Sequence, residues 1–552
     1  MRGALPVRTT CPYCGVGCGV RATVRDDGAV EIAGDEAHPA NYGRLCVKGA
    51  ALGETLDLEG RLLHPLVRET AGRGGAARMR RARWDEALET VARGLERVIA
   101  EHGPDSVAFY VSGQLLTEDY YVVNKLAKGF IGTANIDTNS RLCMASAVAG
   151  HKRAFGADSV PGCYEDLELA DLVVLVGSNT AWCHPVLHQR ILAARARRPW
   201  MKIAVIDPRR TATCEEADLH LPIRPGTDVA LFNGLLAFLH DSGRADERFV
   251  AAHTEGAAEA VEAARRTTGS PAHVARACGV GEPRLIEFYR LFAATERVVT
   301  VFSQGVNQSS AGVDKVNAII NCHLLTGRIG RPGAGPFSIT GQPNAMGGRE
   351  VGGLATALAA HLELGDERHR ELVRSFWGSP RIAVRPGLKA VELFEAVGEG
   401  RVKALWIMAT NPAVSLPDAD RVRAALAKCE WVIVSDVVAR TDTTACARVL
   451  LPAAAWGEKE GTVTNSERRI SRQRAFLPAP GEARPDWWIV TQVARRMGYA
   501  EAFPYEKPYE IFREHARLSA WRNGPRRGAG GETVFRDFDL AGLAELDERD
   551  YE

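Results

Sequence analysis

Four cysteines constrain this chain before anything else does: CPYCGVGCG places Cys11, Cys14 and Cys18 in one short run, and GRLCVKG adds Cys46 alone. Thiols spaced in this way can meet at one centre only where the backbone wraps tightly around it. Gly15, Gly17 and Gly19 permit that approach and leave amide N–H groups free to point at sulfur. A cubane iron–sulfur cluster fits this spacing best. The alternative is a four-cysteine zinc site, but such sites usually arrive as two CxxC pairs. Lys48, two residues past the last thiol, reads either as solvated surface or as a fixed positive charge beside an electron-carrying centre.

At 552 residues the chain exceeds what one core can hold and predicts about three or four domains. Its hydrophobic fraction of 46% and charged fraction of 25% are those of an ordinary globular protein. A formal net charge of +1 argues against nucleic acid as a partner, so any attraction for an anionic substrate must come from local groups. No apolar run approaches a membrane span, and MRGALPVRTT carries neither a secretory hydrophobic stretch nor a twin-arginine start. The expectation is a cytoplasmic protein without a membrane partner. Twelve cysteines then read as metal ligands plus small buried hydrophobes, with no disulfides.

Beyond the cysteine segment, short β-branched runs alternate with longer helical patterns, which predicts α/β domains with mostly parallel sheets. The runs end in polar turns: SVAFYV at Gln114, LVVLV at Gly177 to Thr180, KIAVI at Asp207, VVTVF at Gln304, ALWIM at Asn411 and WVIVS at Asp436. Ligands of open α/β sheets sit at the carboxyl ends of strands, where backbone N–H groups and helix N-termini converge. Six such ends imply one large ligand or several. No turn carries a full GxGxxG or a Walker A lysine, so an ordinary NAD or ATP site is poorly supported.

Two segments break this rhythm. From Gly327 to Gly353 the density of glycine and proline excludes a helix and suits a loop wrapped around a ligand, anchored by Ile329, Phe337, Ile339 and Met346. Arg349 is then either a charge near that ligand or a surface arginine paired with Glu350. The second segment, Leu451 to Ile470, sets Lys459 and Asn465 among turn residues. The basic stretch near Arg80 reads as a solvated helix start. His184 and His188 share metal-ligand spacing without the glutamate of HExxH, and Cys163, Cys183, Cys214, Cys278, Cys322, Cys429 and Cys446 are most simply core residues. Cys143, followed by small residues in NSRLCMASAV, reads on spacing alone as buried filler.

In order along the chain, CPYCGVGCG, GRLCVKG, NSRLCMASAV, GCYEDLELADLVVLVGSNTAWCHPVL, IDPRRT, PGTD, ITGQPNAMGGREVGG, MATNP, SDVV and EKEGTVTNSERR form a set. That set resembles the molybdenum bis(molybdopterin guanine dinucleotide) oxidoreductases, and within them the assimilatory nitrate reductases. The resemblance implies a [4Fe–4S] cluster on Cys11, Cys14, Cys18 and Cys46, Lys48 between that cluster and the nearer pterin, and molybdenum on Cys143 beside Met144. Dinucleotide contacts are implied at Gln114, Asn139, Gly177, Ser178, Asn179, Thr180, Asp207, Gly226, Thr227, Asp228, Gln342, Asn411, Ser435, Asp436, Lys459 and Asp486. The implied chemistry is reduction of nitrate to nitrite by oxygen-atom transfer, with Arg349 holding the anion. Electrons would come from a ferredoxin, a flavodoxin or a flavoprotein NAD(P)H reductase.

The resemblance also implies an architecture. An iron–sulfur domain occupies 1–60, one Rossmann-like α/β domain takes 61–138 with 339–500, and a second, inserted at 139–338, binds the other dinucleotide. Residues 501–552 are expected to be a linker toward the family's C-terminal β-barrel domain, which is absent here; the chain reads as a fragment or as naturally short. Two rival functions follow from the same residues. A formate dehydrogenase would share the fold, but its relatives put histidine after the metal-binding residue, where this chain has Met144, which cannot accept a proton. A non-catalytic electron-transfer or scaffold subunit would dispense with molybdenum, against which Cys143 speaks.

Overall fold

The computed structural model describes residues 5–69, 78–524 and 534–552. Three antiparallel strands, β1 (Val7–Thr10), β2 (Gly19–Val24) and β3 (Val30–Gly34), open the chain in the order β1-β2-β3. The connection between β1 and β2 is the Cys11–Cys18 loop itself, closed by Cys11 N–H donating to the Cys18 carbonyl at 2.8 Å. Cys46 caps the start of a short helix, Val47–Ala50.

The chain next lays down β4 (Leu66–Arg68) and β5 (Met79–Arg81), then β6 (Val107–Val111) and β7 (Ile136–Thr138). It leaves to build a second sheet from β8 (Leu172–Val176), β9 (Lys202–Ile206), β10 (Leu219–Leu221), β11 (Val298–Phe302) and β12 (Gly335–Ser338). It returns with β13 (Ala404–Met408), β14 (Trp431–Asp436) and β15 (Val449–Pro452) to complete the first. The seven-stranded sheet runs β5-β4-β15-β14-β13-β6-β7 and the five-stranded one β10-β9-β8-β11-β12. Strands β6, β7, β13, β14 and β15 pair in parallel, as do all five of the second sheet, while β4 and β5 pair antiparallel at the edge. Helices cover both faces, so β6, β8, β11 and β13 are buried along their whole length and their sequences are apolar runs, broken only by Thr300 of β11. The helix Trp84–His102 shows why the covering elements form. Leu88, Val91, Leu95 and Val98 recur at helical spacing and are buried, Asp85 and Glu86 face the positive N-terminus, and Gly103 takes the left-handed φ of +81° that stops it.

Several expectations from the sequence change. The glycine-rich stretch is not all loop: it holds β12 and a helix, Ala345–Glu350. Gly347 and Gly348 lie inside that helix because it presses on its neighbours; a Cβ on Gly348 would sit 2.7 Å from the Tyr120 ring. Likewise Leu451–Ile470 holds the end of β15 and the hairpin strand β16 (Gly461–Thr464), paired with β17 (Ile470–Gln473). The basic stretch at Arg80 is the edge strand β5, with the helix starting only at Trp84. Residues 501–552 are more than a linker: the helix Pro508–Ala520 buries Ile511, Phe512 and Leu518 against the body, although 525–533 lie outside the described residues. Cys183 is exposed rather than core. Among the described residues no strands close into a barrel, and no helix is long and apolar enough to cross a membrane.

Candidate redox and substrate site

The cysteine loop is folded against the rest of the molecule rather than standing free. Gly15 N–H donates to the Gly341 carbonyl at 3.3 Å, Ser466 N–H donates to the Gly15 carbonyl at 2.8 Å, and the Tyr164 hydroxyl reaches the same carbonyl at 2.9 Å. A side chain on Gly15 would collide with Thr340, and one on Gly17, at φ +66°, with Asn465. These glycines are therefore demanded by close packing as much as by the turn. Cys11 and Cys18 are buried, and burial drives their thiols upward, Cys11 to about 12, although Lys48 pulls the Cys11 and Cys14 thiols the other way. Cys18 feels the charges of Cys11, Cys14 and Cys46, yet no three side chains among the described residues are close enough to grip a single metal ion. A polynuclear cluster spans such a spacing and supplies the positive charge that buried thiolates need.

Lys48 is half-buried, with its ammonium 5.9 Å from the Tyr13 ring centroid. Burial and, after it, the Lys48 charge lower the His184 imidazole to about 4, despite its hydrogen bond to the Thr340 carbonyl at 2.8 Å. His184 is thus a neutral, buried residue that ties Thr340 to the start of the helix Pro185–Arg197.

Cys143 lies in the first turn of the helix Arg141–Phe155, which breaks at Met144 (φ −140°, ψ 19°) and ends at Gly156. The Cys143 Sγ accepts a hydrogen bond from Gln304 Nε2 at 3.3 Å, and Gly341 leaves room beside it: a Cβ there would stand 3.5 Å from the sulfur. Met144 Sδ accepts from the Thr340 hydroxyl at 2.8 Å. Arg349 closes the same pocket. It is buried, 4% exposed, and its partner is Asp158 rather than Glu350. Nε donates to Asp158 Oδ2 at 2.7 Å and Nη2 donates to Oδ1, which leaves Nη1 directed at Met346 Sδ (2.9 Å) and Met144 Sδ (3.7 Å). Burial alone would raise the Asp158 carboxyl, but Arg349, together with His151 and His361, outweighs it and holds the group well below the usual carboxylate range. Glu350 turns away, accepting from Thr464 at 2.8 Å with Arg468 at 3.5 Å, and burial lifts it to about 6.

The remaining expected contacts fall in two groups at the carboxyl ends of the sheets. Behind the seven-stranded sheet, Asn139 Oδ1 accepts from Gly113 N–H at 3.0 Å and from Gln342 Nε2 at 2.6 Å, and Asn139 Nδ2 donates to Thr410 at 3.3 Å. Gln114 meets Ser112, Asn411 accepts from Thr443 at 2.6 Å, Ser435 accepts from Trp406 at 2.9 Å, and Asp436 caps Val437 and Val438. Lys459 bridges two buried carboxylates, Asp119 at 3.0 Å and Asp486 at 2.9 Å, which keep it charged. Asp486 Oδ1 is buried without a partner, an acceptor available to the N–H donors of a ligand. Behind the five-stranded sheet, Gly177 (φ +52°) packs on Gly305, Ser178 and Thr180 face each other, Asn179 accepts from Thr213 at 2.7 Å, and Asp207 caps Arg209. The Gly226–Thr227 turn follows β10, with Asp228 paired to Lys315 at 2.7 Å. The donor set of four thiols and an orphan carboxylate oxygen, with polar side chains gathered at the strand ends, fits an iron–sulfur cluster and a large dinucleotide cofactor.

Asp158, Gln304, Thr340 and Asp119 belong to the site but were not singled out as its residues from sequence. Gln304 had a signal, its place at a strand end. Asp158 had none: GADSVPG is an ordinary turn in sequence, and its role exists only because Arg349, 191 positions away, folds onto it.

Comparison with known proteins agrees with this geometry. The Fe4S4 domain of the molybdopterin oxidoreductases matches residues 6–57, and the molybdopterin oxidoreductase domain matches 61–496. A nitrate reductase of Klebsiella oxytoca is 58% identical over 539 residues, covering 98% of this chain and 59% of that protein. One from Shewanella frigidimarina is 51% identical over 555 residues, covering 99% and 57%. This chain thus spans under two thirds of the length of these relatives. Acetylene hydratase from Pelobacter acetylenicus shares the fold with a TM-score of 0.76 at 22% identity, over 93% of this chain and 72% of that one. The thiol loop, the two parallel sheets and the domain matches lead to one statement of kinship: the chain belongs to the molybdopterin oxidoreductase family, whose cofactors are a [4Fe–4S] cluster and a molybdenum molybdopterin.

Proposed function

We propose that this chain forms the cofactor-binding body of a molybdenum nitrate reductase that reduces nitrate to nitrite in nitrate assimilation in the cytoplasm. The observation that carries the reading is the buried Arg349, held by Asp158 on one edge, with only the weak sulfur acceptors of Met346 and Met144, beside Cys143, on Nη1. The identity shared with two nitrate reductases supports the same choice.

Cys11, Cys14, Cys18 and Cys46 would hold the cluster and Cys143 the molybdenum. Residues 61–138 with 339–500 would hold one guanine dinucleotide through Gln114, Asn139, Gln342, Asn411, Ser435, Asp436, Lys459 and Asp486. The inserted 139–338 would hold the other through Gly177–Thr180, Asp207 and Gly226–Asp228. When bound, the metal supplies oxygen-atom transfer, by which nitrate, two electrons and two protons become nitrite and water. The polypeptide positions the anion. Arg349 Nη1 can exchange a weak sulfur acceptor for a nitrate oxygen, forming a charge-assisted hydrogen bond, while Asp158 holds the guanidinium plane. Met144 and Met346 line the remaining side with sulfur, which keeps water out and offers no general base. Electrons from a ferredoxin, flavodoxin or flavoprotein NAD(P)H reductase would enter near Cys46, whose neighbour Val47 is 81% exposed.

The test is purification with metal analysis, followed by assay with reduced viologen. Molybdenum with about four irons and nitrite formation are expected. Iron without molybdenum would mark a scaffold, and formate oxidation without nitrate reduction would overturn the substrate.

A further inference from the structure

Two cavities meet at Asp158 and His361, and they carry opposite charge. The smaller, about 90 Å³, runs along the Cys143 helix. Arg141, Ala145, Ala149 and Lys152 line it at spacings of four, four and three residues, which places them on one helical face. Its lining runs from exposed Ala149 and partly exposed Lys152 to buried Arg349. The larger, about 460 Å³, is lined by Glu350, Glu363, Asp537 and Asp539 against Arg468 and Arg536.

The division is built from ion pairs split across the wall. Lys152 binds Glu363 at 2.5 Å, yet the lysine lines the small cavity and the glutamate lines the large one. Arg141 is gripped by Asp137 through Nε at 3.0 Å and Nη2 at 3.1 Å, and Asp137 lines neither cavity. Both cations therefore face the small cavity while their carboxylates stand outside it. The opposite wall is fixed. Leu354 and Ala357 line it, and their carbonyls, with that of Gly352, accept from the fully buried Lys128 ammonium at 2.8, 2.6 and 2.6 Å. The small cavity sets three cations, Arg141, Lys152 and Arg349, against one carboxylate, Asp158, so its field favours an entering anion, whereas the acid-rich cavity repels one.

We propose that the small cavity is the route by which an oxyanion reaches Arg349, with Lys152 and Arg141 as its guiding cations. This rests on the nitrate reading of the site, and it assigns direction: the anion passes along the Cys143 helix, not through the larger acidic cavity.

The experiment compares Lys152→Gln with Glu363→Gln in the cofactor-loaded protein. At low ionic strength, Lys152→Gln should raise the nitrate KM on the order of three- to tenfold with kcat unchanged. The difference should fade at about 0.5 M salt, where charges a few ångströms apart are screened. Glu363→Gln should not raise KM, since its charge faces the other cavity. An unchanged KM in Lys152→Gln, or the same rise in both variants, would overturn the route. A second readout needs no turnover: bromide soaked into crystals should give an anomalous peak between Lys152 and Arg141 that Lys152→Gln abolishes. Bromide bound in the larger cavity instead, or at neither cation, would overturn the route as well. Failure of the wild type to reduce nitrate would strike the proposed function, while the bromide result would still judge the channel.

Discussion

Arg349 has two separable jobs, and the difference between them decides how its mutants should be read. Its Nε and Nη2 satisfy a buried carboxylate, and its Nη1, now on the sulfurs of Met346 and Met144, is the edge that the proposed function gives to nitrate. Arg349→Ala therefore removes an anion-binding donor and also strands Asp158, 2% exposed, as an uncompensated buried charge. The second effect costs roughly 3–5 kcal/mol by analogy with other broken buried pairs. Arg349→Ala should accordingly lower both thermal stability and nitrate kcat/KM, while Arg349→Ala with Asp158→Asn should recover most of the stability and none of the turnover. Melting curves and nitrite assays on the single and double variants make the comparison. A double variant as unstable as the single would show that Asp158 is not the carboxylate that needs the arginine.

At the scale of elements, the six strands that lead to polar turns were legible because each is a short β-branched run buried on both faces. The helix Ala345–Glu350 was not. Its own residues argue against it, since Gly347 and Gly348 each cost about 1 kcal/mol relative to alanine in a helix. What holds it is tertiary: Asn344 accepts from Thr464 N–H at 2.7 Å and donates to the Leu115 carbonyl at 2.8 Å, and the glycines let the helix lie against Tyr120. Local propensity cannot report contacts with residues more than a hundred positions away. The hairpin β16–β17 was missed for a related reason, because its glycine and polar turn residues hid two short strands. Gly348→Ala distinguishes the two influences. On an exposed helix it would stabilise by about 1 kcal/mol; here the new methyl would sit 2.7 Å from the Tyr120 ring, and overpacking of that kind costs roughly 1–3 kcal/mol. A lowered melting temperature together with a raised nitrate KM is the expected result, because the displaced helix carries Arg349. A stabilised variant would mean that the helix is held by propensity after all.

Across the whole molecule, the two ends of the proposed electron path touch through one short segment, Thr340–Gly341. Gly15 of the cysteine loop packs against Thr340 and donates to the Gly341 carbonyl, while Gly341 borders Cys143 Sγ and the Thr340 hydroxyl reaches Met144. The cysteines and the strand ends could be read from their spacing, but this juncture could not, since it joins residues from three distant stretches of chain. Lys48 stands at the same juncture: its charge lowers the Cys11 and Cys14 thiols on one side and the His184 imidazole on the other, and His184 is bonded to Thr340. A solvated lysine would act on neither. Lys48→Met removes that charge and keeps most of the side-chain length, so iron content and the visible absorption of the cluster should remain. Turnover driven by a protein electron donor should slow, because the positive charge that favours the reduced, more negative state beside it is gone. Cys14→Ser is the companion variant, and it should lose both iron and donor-driven activity. Donor-driven nitrite formation by Lys48→Met at the wild-type rate, with the cluster intact, would leave Lys48 an ordinary half-buried surface residue and return the role of linking the two centres to the backbone at Thr340 and Gly341.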